Sequence, residues 1–425
     1  MRNTHAPLHP MSVVSYVCVA LIALTACSDP VTLATGSSGA GAMSSAANNN
    51  NPWTPPITIL VSPASKELEA GDTVQLEAVA MNRPGHMVHG HLRWSSQDTN
   101  VAVVSENGLV TATGPGTTMI DASMGVFSGS STITVRPMDF AFGVSVTTLT
   151  NGGIYGIDGV SANEVWFGCG FRCAMRFDGT QWVRLSIGFG GNLYGANARG
   201  GGNAFFGAQV GVGTGHVVRW NGGFIQQTSV QSELFGVWTD SPTSGFACGD
   251  AKFYRFQQGQ ATIQIPTGLN QTFNGPDRFD QAWGTSATNV FCAGRSGLYR
   301  YNGTTFTRVA TGTLSDVSGT SASNVWAVGR LGVVHHFDGT NWTSVDAGQG
   351  AIDVRGLAVL DNGWVVLATL DNRLLVYNGR VWRSQTLPAG YTIAPAGLYA
   401  PNNRTLFIAG SRNSDNKVVV IRAVR

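Results

Sequence analysis

GTSATNVFCAGRSGLYRYNGTTFTRV (residues 284–309) and GTSASNVWAVGRLGVVHHFDGTNWTSV (residues 319–345) are two closely matching stretches of this chain. Weaker copies run from about Ile154 toward the last residues, with a period of roughly 35 to 45 residues. Each copy contains several short apolar runs that are separated by glycine-rich turns. A repeat of this length built from short strands is typical of the blades of a β-propeller. The sequence therefore predicts an all-β chain whose larger part is a propeller.

Seven copies of one apolar strand can be aligned on Asn324–Gly329. Every copy has an aromatic residue in the alignment position of Trp326, which indicates packing between blades rather than a binding surface. The seventh copy lacks an outer strand, and residues 143–150 resemble the missing one. We therefore predict a seven-bladed propeller in which an N-terminal strand completes the last blade and removes an exposed sheet edge. The aligned aromatic residues are Trp166, Phe205, Phe246, Phe291, Trp326, Trp364 and Phe407.

A recurrent turn, Phe-Asp-Gly-Thr-x-Trp, occurs at residues 177–182 and 337–342. Asp-Gly between apolar runs favours a type I′ hairpin, in which both central residues have a positive φ. Asp178 and Asp338 are therefore predicted to be turn residues without a catalytic role.

Residues 57–137 show a different pattern, with short apolar runs at 57–61 and 131–135 and a tight-turn signal at Asn107-Gly108. Several short strands over about 80 residues predict a small β-sandwich. The stretches ITILVSPASKELEAGDTVQLEAVA and WSSQDTNVAVVSENGLVTATGPGTTMIDAS, with the closing STITV, resemble the bacterial Ig-like domain of group 2, known as Big2. That resemblance implies a spacer domain, which in some proteins is adhesive.

Three histidines, His86, His89 and His91, lie in a loop that departs from the Ig-like pattern. Three imidazoles could ligate a metal ion, but no Cys or Asp stands nearby to complete a tetrahedral site. An exposed histidine-containing loop is the alternative. We predict no metal ion and no cofactor for this chain.

The N-terminal segment resembles the signal peptide of a bacterial lipoprotein. Its apolar run, residues 12–26, is too short for a stable membrane span, and Leu24-Thr25-Ala26-Cys27 resembles a lipobox. The resemblance implies lipidation of Cys27, and Ser28 after it favours the outer membrane. Ordinary secretion is the alternative. The predicted order is signal peptide 1–27, disordered Ser/Gly/Asn-rich stalk 28–56, Ig-like domain 57–137 and propeller 140–425.

One inner-strand position differs among the seven copies, and we call its residues the channel ring. The position before it is apolar in every copy, whereas the ring combines an acid, an amide, aromatic rings and a guanidinium. This mixture suits a polar ligand with flat faces, such as a sugar, although filling of gaps between blades is an alternative. The channel ring is predicted to be Asp158, Asn197, Trp238, Trp283, Ser318, Arg355 and Tyr399.

Charge and motifs argue against two other classes of function. The net charge is +2 and no run of Lys or Arg occurs, so the chain lacks the basic patch typical of nucleic-acid binding. No HExxH, P-loop or EF-hand motif is present. A glycosidase pair would have to come from aspartates, most of which lie in predicted turns. We predict no catalytic residues, and the sequence favours a binding protein over an enzyme.

The cysteines suggest two different roles. Cys169 and Cys173 flank one hairpin and are predicted to form a disulfide in an exported protein. Cys248 and Cys292 lie on neighbouring blades, where both a pair of buried thiols and an inter-blade disulfide would fit.

Together these features predict a monomeric cell-surface protein of the kind that bacteria secrete. Its lipid anchor would be the only contact with the membrane, its Ig-like domain a spacer, and its propeller the part that binds a glycan or a surface protein. The alternatives are an extracellular glycan-active hydrolase or lyase, and an assembly or structural scaffold protein of the cell envelope.

Overall fold

The computed structural model describes most of the chain beyond the predicted stalk. The described residues form one compact unit. The predicted signal peptide, Cys27 and the stalk lie outside the described residues. No helix among the described residues is long and apolar enough to cross a membrane. The described residues are 57–82, 85–143, 153–170, 173–188, 190–250, 252–264, 277–348 and 350–425.

The first domain is a small sandwich of three sheets, in which the order of strands is β1-β4, β2-β9-β8-β5 and β3-β7-β6. Its core contains the fully buried Val110, Ile120 and Ile133. Residues 73–79 alternate apolar and polar side chains and form two short strands, because the chain leaves one sheet for another at the buried Leu76. The strands are β1 (Thr58–Ser62), β2 (Ser65–Glu69), β3 (Thr73–Gln75), β4 (Glu77–Met81), β5 (Arg93–Ser96), β6 (Ala102–Val104), β7 (Leu109–Ala112), β8 (Gly116–Met124) and β9 (Phe127–Arg136).

The second domain consists of seven four-stranded antiparallel sheets, which confirms the predicted propeller. Blades 1 to 6 follow chain order from the inner to the outer strand. Blade 1 is β11–β14 (Ile154–Ser161, Glu164–Cys169, Cys173–Phe177, Trp182–Leu185), and blade 2 is β15–β18 (Asn192–Gly200, Asn203–Gly211, Thr214–Asn221, Phe224–Val230). Blade 3 is β19–β22 (Leu234–Ser241, Ser244–Gly249, Phe253–Gln257, Gln260–Gln264), and blade 4 is β23–β26 (Phe279–Ser286, Asn289–Gly294, Gly297–Tyr301, Phe306–Ala310).

Blade 5 is β27–β30 (Leu314–Ser321, Asn324–Gly329, Val334–Phe337, Trp342–Ser344), with a 3-10 turn at Arg330–Gly332 before β29. Blade 6 is β31–β34 (Val354–Val359, Val365–Thr369, Arg373–Tyr377, Trp382–Thr386). Blade 7 takes β35–β37 (Tyr391–Asn402, Thr405–Arg412, Val418–Val424) from the C-terminal part of the chain and β10 (Ala141–Gly143) from the segment before blade 1.

Closure by an N-terminal strand is therefore confirmed, although the paired strand lies earlier than the sequence match suggested. Ala141 is opposite Val424 and Gly143 is opposite Arg422. The sequence match covered residues 143–150, of which Gly143 belongs to β10 and 144–150 lie outside the described residues. Phe140, directly before β10, is 2% exposed and its amide donates to Gln385 of blade 6.

The Asp-Gly turns differ from the predicted type I′ geometry. Only the glycine has a positive φ in the turn at residues 178–181, with Gly179 at +97°. The Asp178 carboxylate instead accepts hydrogen bonds from the amides of Thr180 and Gln181, at 2.9 and 2.8 Å. These donors, Gln181 first, lower the pKa of Asp178 to about 2. The side-chain cap replaces the second positive φ, so a four-residue loop joins β13 to β14.

Candidate functional site

Six of the seven predicted channel-ring residues line one cavity of about 250 Å³ inside the propeller. Each of them lies opposite an aromatic residue of the second strand, as Ser318 lies opposite Trp326 in blade 5. The inner strands of successive blades therefore bring these residues to the same level of the channel. The six are Asp158, Asn197, Trp238, Trp283, Ser318 and Tyr399.

Arg355 was wrongly predicted as the seventh ring residue. In blade 6 the ring position is occupied by Ala358, which lies opposite Val366 just as Ser318 lies opposite Trp326 in blade 5. Trp364, which aligned with Trp326, precedes β32 in a turn where its carbonyl accepts the amide of Leu360. The sequence spacing could have revealed this error. Arg355 and Trp364 are one residue further apart than each of the other predicted ring residues and its aromatic partner.

Two polar ring residues, Asp158 and Asn197, are hydrogen-bonded to the blade that follows their own. The Asp158 carboxylate accepts hydrogen bonds from the Asn197 side chain at 2.9 Å and from the Ala198 amide at 2.8 Å. Asn197 in turn accepts from the Thr239 amide at 3.0 Å. These side chains therefore join blade 1 to blade 2 and blade 2 to blade 3, which is the role that the gap-filling alternative assigned to them.

The aromatic ring residues contact glycines of the following blade. A methyl group on Gly319 would lie 2.8 Å from the Trp283 ring, and one on Gly159 would lie 2.6 Å from the Tyr399 ring. Both values are below normal carbon–carbon contact distances. The size of an aromatic ring residue thus depends on the space that the next blade leaves for it. This dependence explains why the ring position varies while the neighbouring positions repeat.

Asp316 is a channel residue that the sequence prediction missed. It lines the same cavity at a position where blade 6 has Gly356. Its two carboxylate oxygens accept the amides of Val317 at 2.8 Å and Leu357 at 2.9 Å. Burial raises the pKa of Asp316 to about 7, and burial likewise raises the pKa of Asp158 to about 6. The sequence offered one indication of this residue, because Asp316 stands at a position where blade 6 has a glycine.

A second cavity, of about 360 Å³, lies where the inner strands begin, and we call it the mouth cavity. One side of it is aromatic, with Tyr155, Tyr194 and Phe235 from blades 1 to 3. The ring centroids of Tyr155 and Tyr194 are 4.7 Å apart, and those of Tyr194 and Phe235 are 4.9 Å apart. These distances fall in the range of stabilising aromatic pairs, so the three rings form a continuous wall.

The other side of the mouth cavity is basic. Four arginines and two aspartates line it, which gives the lining a formal charge of +2 (four minus two). Arg278 lies over the Phe235 ring at 3.7 Å and pairs with Asp280 at 2.6 Å. The six charged residues are Arg278, Arg295, Arg330, Arg355, Asp280 and Asp353. Arg355 is therefore brought to this cavity and not to the channel ring.

Two of these arginines could be noticed in the sequence. Arg295 and Arg330 each follow directly on the glycine that ends the second strand of blades 4 and 5. Their shared position on adjacent blades is what places both guanidinium groups at one mouth.

The cysteines are in two states. Cys169 and Cys173 are joined by a disulfide, with their Cα atoms 4.8 Å apart. Cys248 and Cys292 are free and buried on neighbouring blades. Among the described residues, no group of three or more His, Cys, Asp or Glu side chains is arranged to hold a metal ion.

Comparison with known proteins identifies the first domain. Residues 57–135 match the family described as "Bacterial Ig-like domain (group 2)". Ice-binding protein 1 from Shewanella frigidimarina (strain NCIMB 400) is 34% identical over 80 residues, which are 18% of this chain. The matched segment spans only 9% of that relative's length.

Solved structures match the propeller. YCF48 from Cyanidioschyzon merolae has a TM-score of 0.51 at 15% identity, over 67% of this chain and 98% of that one. A structure of YCF48 bound to D1 peptide has a TM-score of 0.51 at 14% identity, over 66% of this chain and 96% of that one. The extracellular domain of BT4673 from B. thetaiotaomicron has a TM-score of 0.51 at 15% identity, over 66% of this chain and 39% of that one. These likenesses show a β-propeller fold, which here follows a bacterial Ig-like domain of group 2.

Proposed function

We propose that this chain is an exported binding protein whose propeller recognises a glycan or protein ligand at the mouth cavity. The Ig-like domain serves as its spacer. The observation that carries the proposal is the mouth cavity itself, where an aromatic wall and a basic wall from six blades surround a volume of about 360 Å³. That volume and that mixture of apolar and convergent polar groups are typical of ligand sites.

Two comparisons support this proposal. Bacterial Ig-like domains are modules of exported proteins, which favours a place outside the cytoplasm for residues 57–425. A propeller of the same fold, YCF48, has been solved with a bound peptide, so the fold is compatible with recognition of a protein segment.

Binding is favoured over hydrolysis by the state of the carboxylates inside the channel. Asp158 and Asp316 are the acids of the inner cavity, and each already accepts two hydrogen bonds or more from neighbouring protein groups. A glycosidase pair needs one acid that is free to protonate the leaving oxygen and one that is free to attack or activate water. Turnover of a bound glycan would nevertheless show that the hydrolase alternative is correct.

The proposed anchor is the lipobox-like Cys27. Acyl chains contribute about 0.8 kcal/mol for each buried CH₂, so two or three chains would hold the protein stably on a membrane. A Cys27→Ala variant should lose incorporation of labelled fatty acid and leave the membrane fraction. Retention of the label in that variant would refute the lipoprotein assignment.

The binding proposal can be tested with residues 57–425 on glycan and protein arrays. A Tyr155→Ala variant probes the mouth cavity, Trp283→Ala probes the channel ring, and an outer-strand variant, Arg383→Gln, is the control. We expect Tyr155→Ala to weaken the detected binding while the melting temperature shows that the propeller remains folded. Binding that none of the folded variants changes would refute a site in the channel.

A further inference from the structure

The lining of the mouth cavity carries a net positive charge, because four arginines and two aspartates contribute to it. Arg295 and Arg330 are exposed and form no ion pair within the described part of the chain. The other two arginines are held in position, since Arg278 pairs with Asp280 and Arg355 donates to the carbonyl of Ile393 at 3.2 Å. Two free guanidinium groups beside two fixed ones are suited to an anion, and the planar fork of Arg matches a carboxylate best.

The same wall also contains acceptors for hydroxyl groups. Asp353 accepts the Leu331 amide through one oxygen at 2.9 Å, which leaves its other oxygen available. Ser315 donates to the carbonyl of Val354 at 2.7 Å, and Thr313 donates to the carbonyl of Arg295 at 3.3 Å. A hydroxyl that donates keeps its lone pairs as acceptors. The cavity therefore combines a place for one carboxylate with several acceptors for a ligand rich in hydroxyl donors.

The aromatic wall limits how a ligand can pack. Arg278 covers the face of Phe235, and the rings of Tyr194 and Phe235 meet at an interplanar angle of 70°. The wall is therefore not a row of parallel open faces, because one face of Phe235 is covered and Tyr194 is steeply inclined to it. It can support one sugar ring, whereas a longer stacked chain would need more exposed faces.

We propose that the mouth cavity binds a sugar that bears a carboxylate, such as a uronate or a sialate at the end of a glycan. This inference rests on the proposed function and adds the chemical class of the ligand. Arg295 and Arg330 would bind the carboxylate, and Asp353, Ser315 and Thr313 would accept hydrogen bonds from the ring hydroxyls. An acidic peptide is less suited to this site, because it brings several carboxylates toward Asp280 and Asp353 and few hydroxyl donors.

The test compares matched probes on the full-length chain in mild detergent. Sialyllactose is paired with lactose, and galacturonate is paired with its methyl ester, which keeps the hydroxyls and removes the charge. A glutamate hexapeptide represents the acidic peptide. We expect at least one acidic sugar to bind about tenfold or more tightly than its neutral partner, the difference expected for one charge-assisted contact.

Variants then assign that preference to the mouth. Combined Arg295→Gln and Arg330→Gln should weaken binding of the acidic sugar about tenfold or more and leave the neutral partner unchanged. Arg383→Gln removes the same charge from the outer strand of blade 6 and should leave binding unchanged. Both altered arginines of the mouth are exposed, so the fold should tolerate their loss.

Four results would overturn the inference. Equal binding of acidic and neutral sugars, preference for the hexapeptide, or no binding of either acidic sugar would each contradict a carboxylate-bearing sugar. The first two leave the proposed function intact if Tyr155→Ala still weakens binding. Acidic sugar that binds the double variant normally would place the carboxylate elsewhere and also overturn it.

Discussion

Arg425 lies over the indole of Trp364, with its guanidinium carbon 3.9 Å from the ring centroid. The same guanidinium pairs with Glu69 of β2, at 3.1 Å, so it joins blades 6 and 7 to the Ig-like domain. Only 4% of the Arg425 side chain and 23% of the Glu69 side chain are exposed. A further contact of the same junction is the hydrogen bond from the Asn378 side chain to the carbonyl of Ala70, at 2.7 Å. The two domains therefore share a polar interface around one largely buried ion pair.

We predict that Glu69→Gln lowers the free energy of unfolding by about 1–3 kcal/mol, because it leaves the Arg425 guanidinium buried without its counter-charge. Glu67→Gln on the same strand is the matched control, since Glu67 pairs with Arg136 at the surface and its side chain is 61% exposed. That substitution should change stability by less than about 1 kcal/mol. Urea unfolding of both variants measures the difference. Equal effects would show that the buried pair adds nothing to the interface.

Closure of the ring gives a second prediction. Phe140 is 2% exposed and precedes the three residues that pair with β37. Phe140→Ala should cost about 3–5 kcal/mol, as for other buried phenylalanines, and should weaken closure of blade 7. Deletion of residues 140–150 removes the strand itself and should prevent stable folding.

Val212→Ala is the control for closure, since Val212 is 79% exposed and its loss should change stability by no more than about 0.5 kcal/mol. Melting temperatures compare the variants. An unchanged melting temperature after the deletion would contradict closure by the N-terminal strand.

The number of blades could be predicted because each blade repeats the same hairpins locally. The pairing of Ser318 with Trp326 depends only on the turn between two adjacent strands, and six blades preserve that turn. Trp364 does not pair with a ring residue in this way, and the reason lies outside the repeat. Its indole contacts Arg425 at the interface with the Ig-like domain, a long-range constraint that does not follow the repeat period.

The mouth cavity could not be predicted for a related reason. Tyr155 lies on an inner strand, whereas Arg295 and Arg330 follow second strands, and only the circular order of the blades brings them together. A position-by-position comparison of repeats finds residues at one level of the channel. It does not find a site assembled from inner strands and from the turns after second strands.

Asp316 gives a pH-dependent prediction. Burial raises its pKa from 3.8 to about 7, so the folded protein holds a proton that the unfolded chain releases between those values. The folded state then binds more protons than the unfolded state, and this carboxyl makes stability fall as pH rises from about 4 to 7. Above pH 7 its contribution is constant. Because one pKa unit corresponds to about 1.4 kcal/mol, the effect is on the order of 2–4 kcal/mol.

Asp316→Asn should reduce this fall, since an amide does not ionise. Urea unfolding at pH 4.5, 6 and 7.5 gives the slope for each protein, and the exposed Asp361→Asn is the control. The wild type and the control should lose more stability between the first and last pH than Asp316→Asn does. Parallel slopes for all three would contradict a protonated Asp316 in the folded state.

The buried thiols give a prediction about the oxidation state of the propeller. Burial raises the pKa of Cys292, and its thiol contacts that of Cys248 on the neighbouring blade. Both thiols are buried, so both should resist alkylation while the protein is folded. Residues 57–425 contain four cysteines, and in denaturant without reductant we expect two alkyl adducts by mass spectrometry, followed by four after reduction of the Cys169–Cys173 disulfide. No adducts before reduction would show instead that an inter-blade disulfide joins blades 3 and 4, the alternative that the sequence left open.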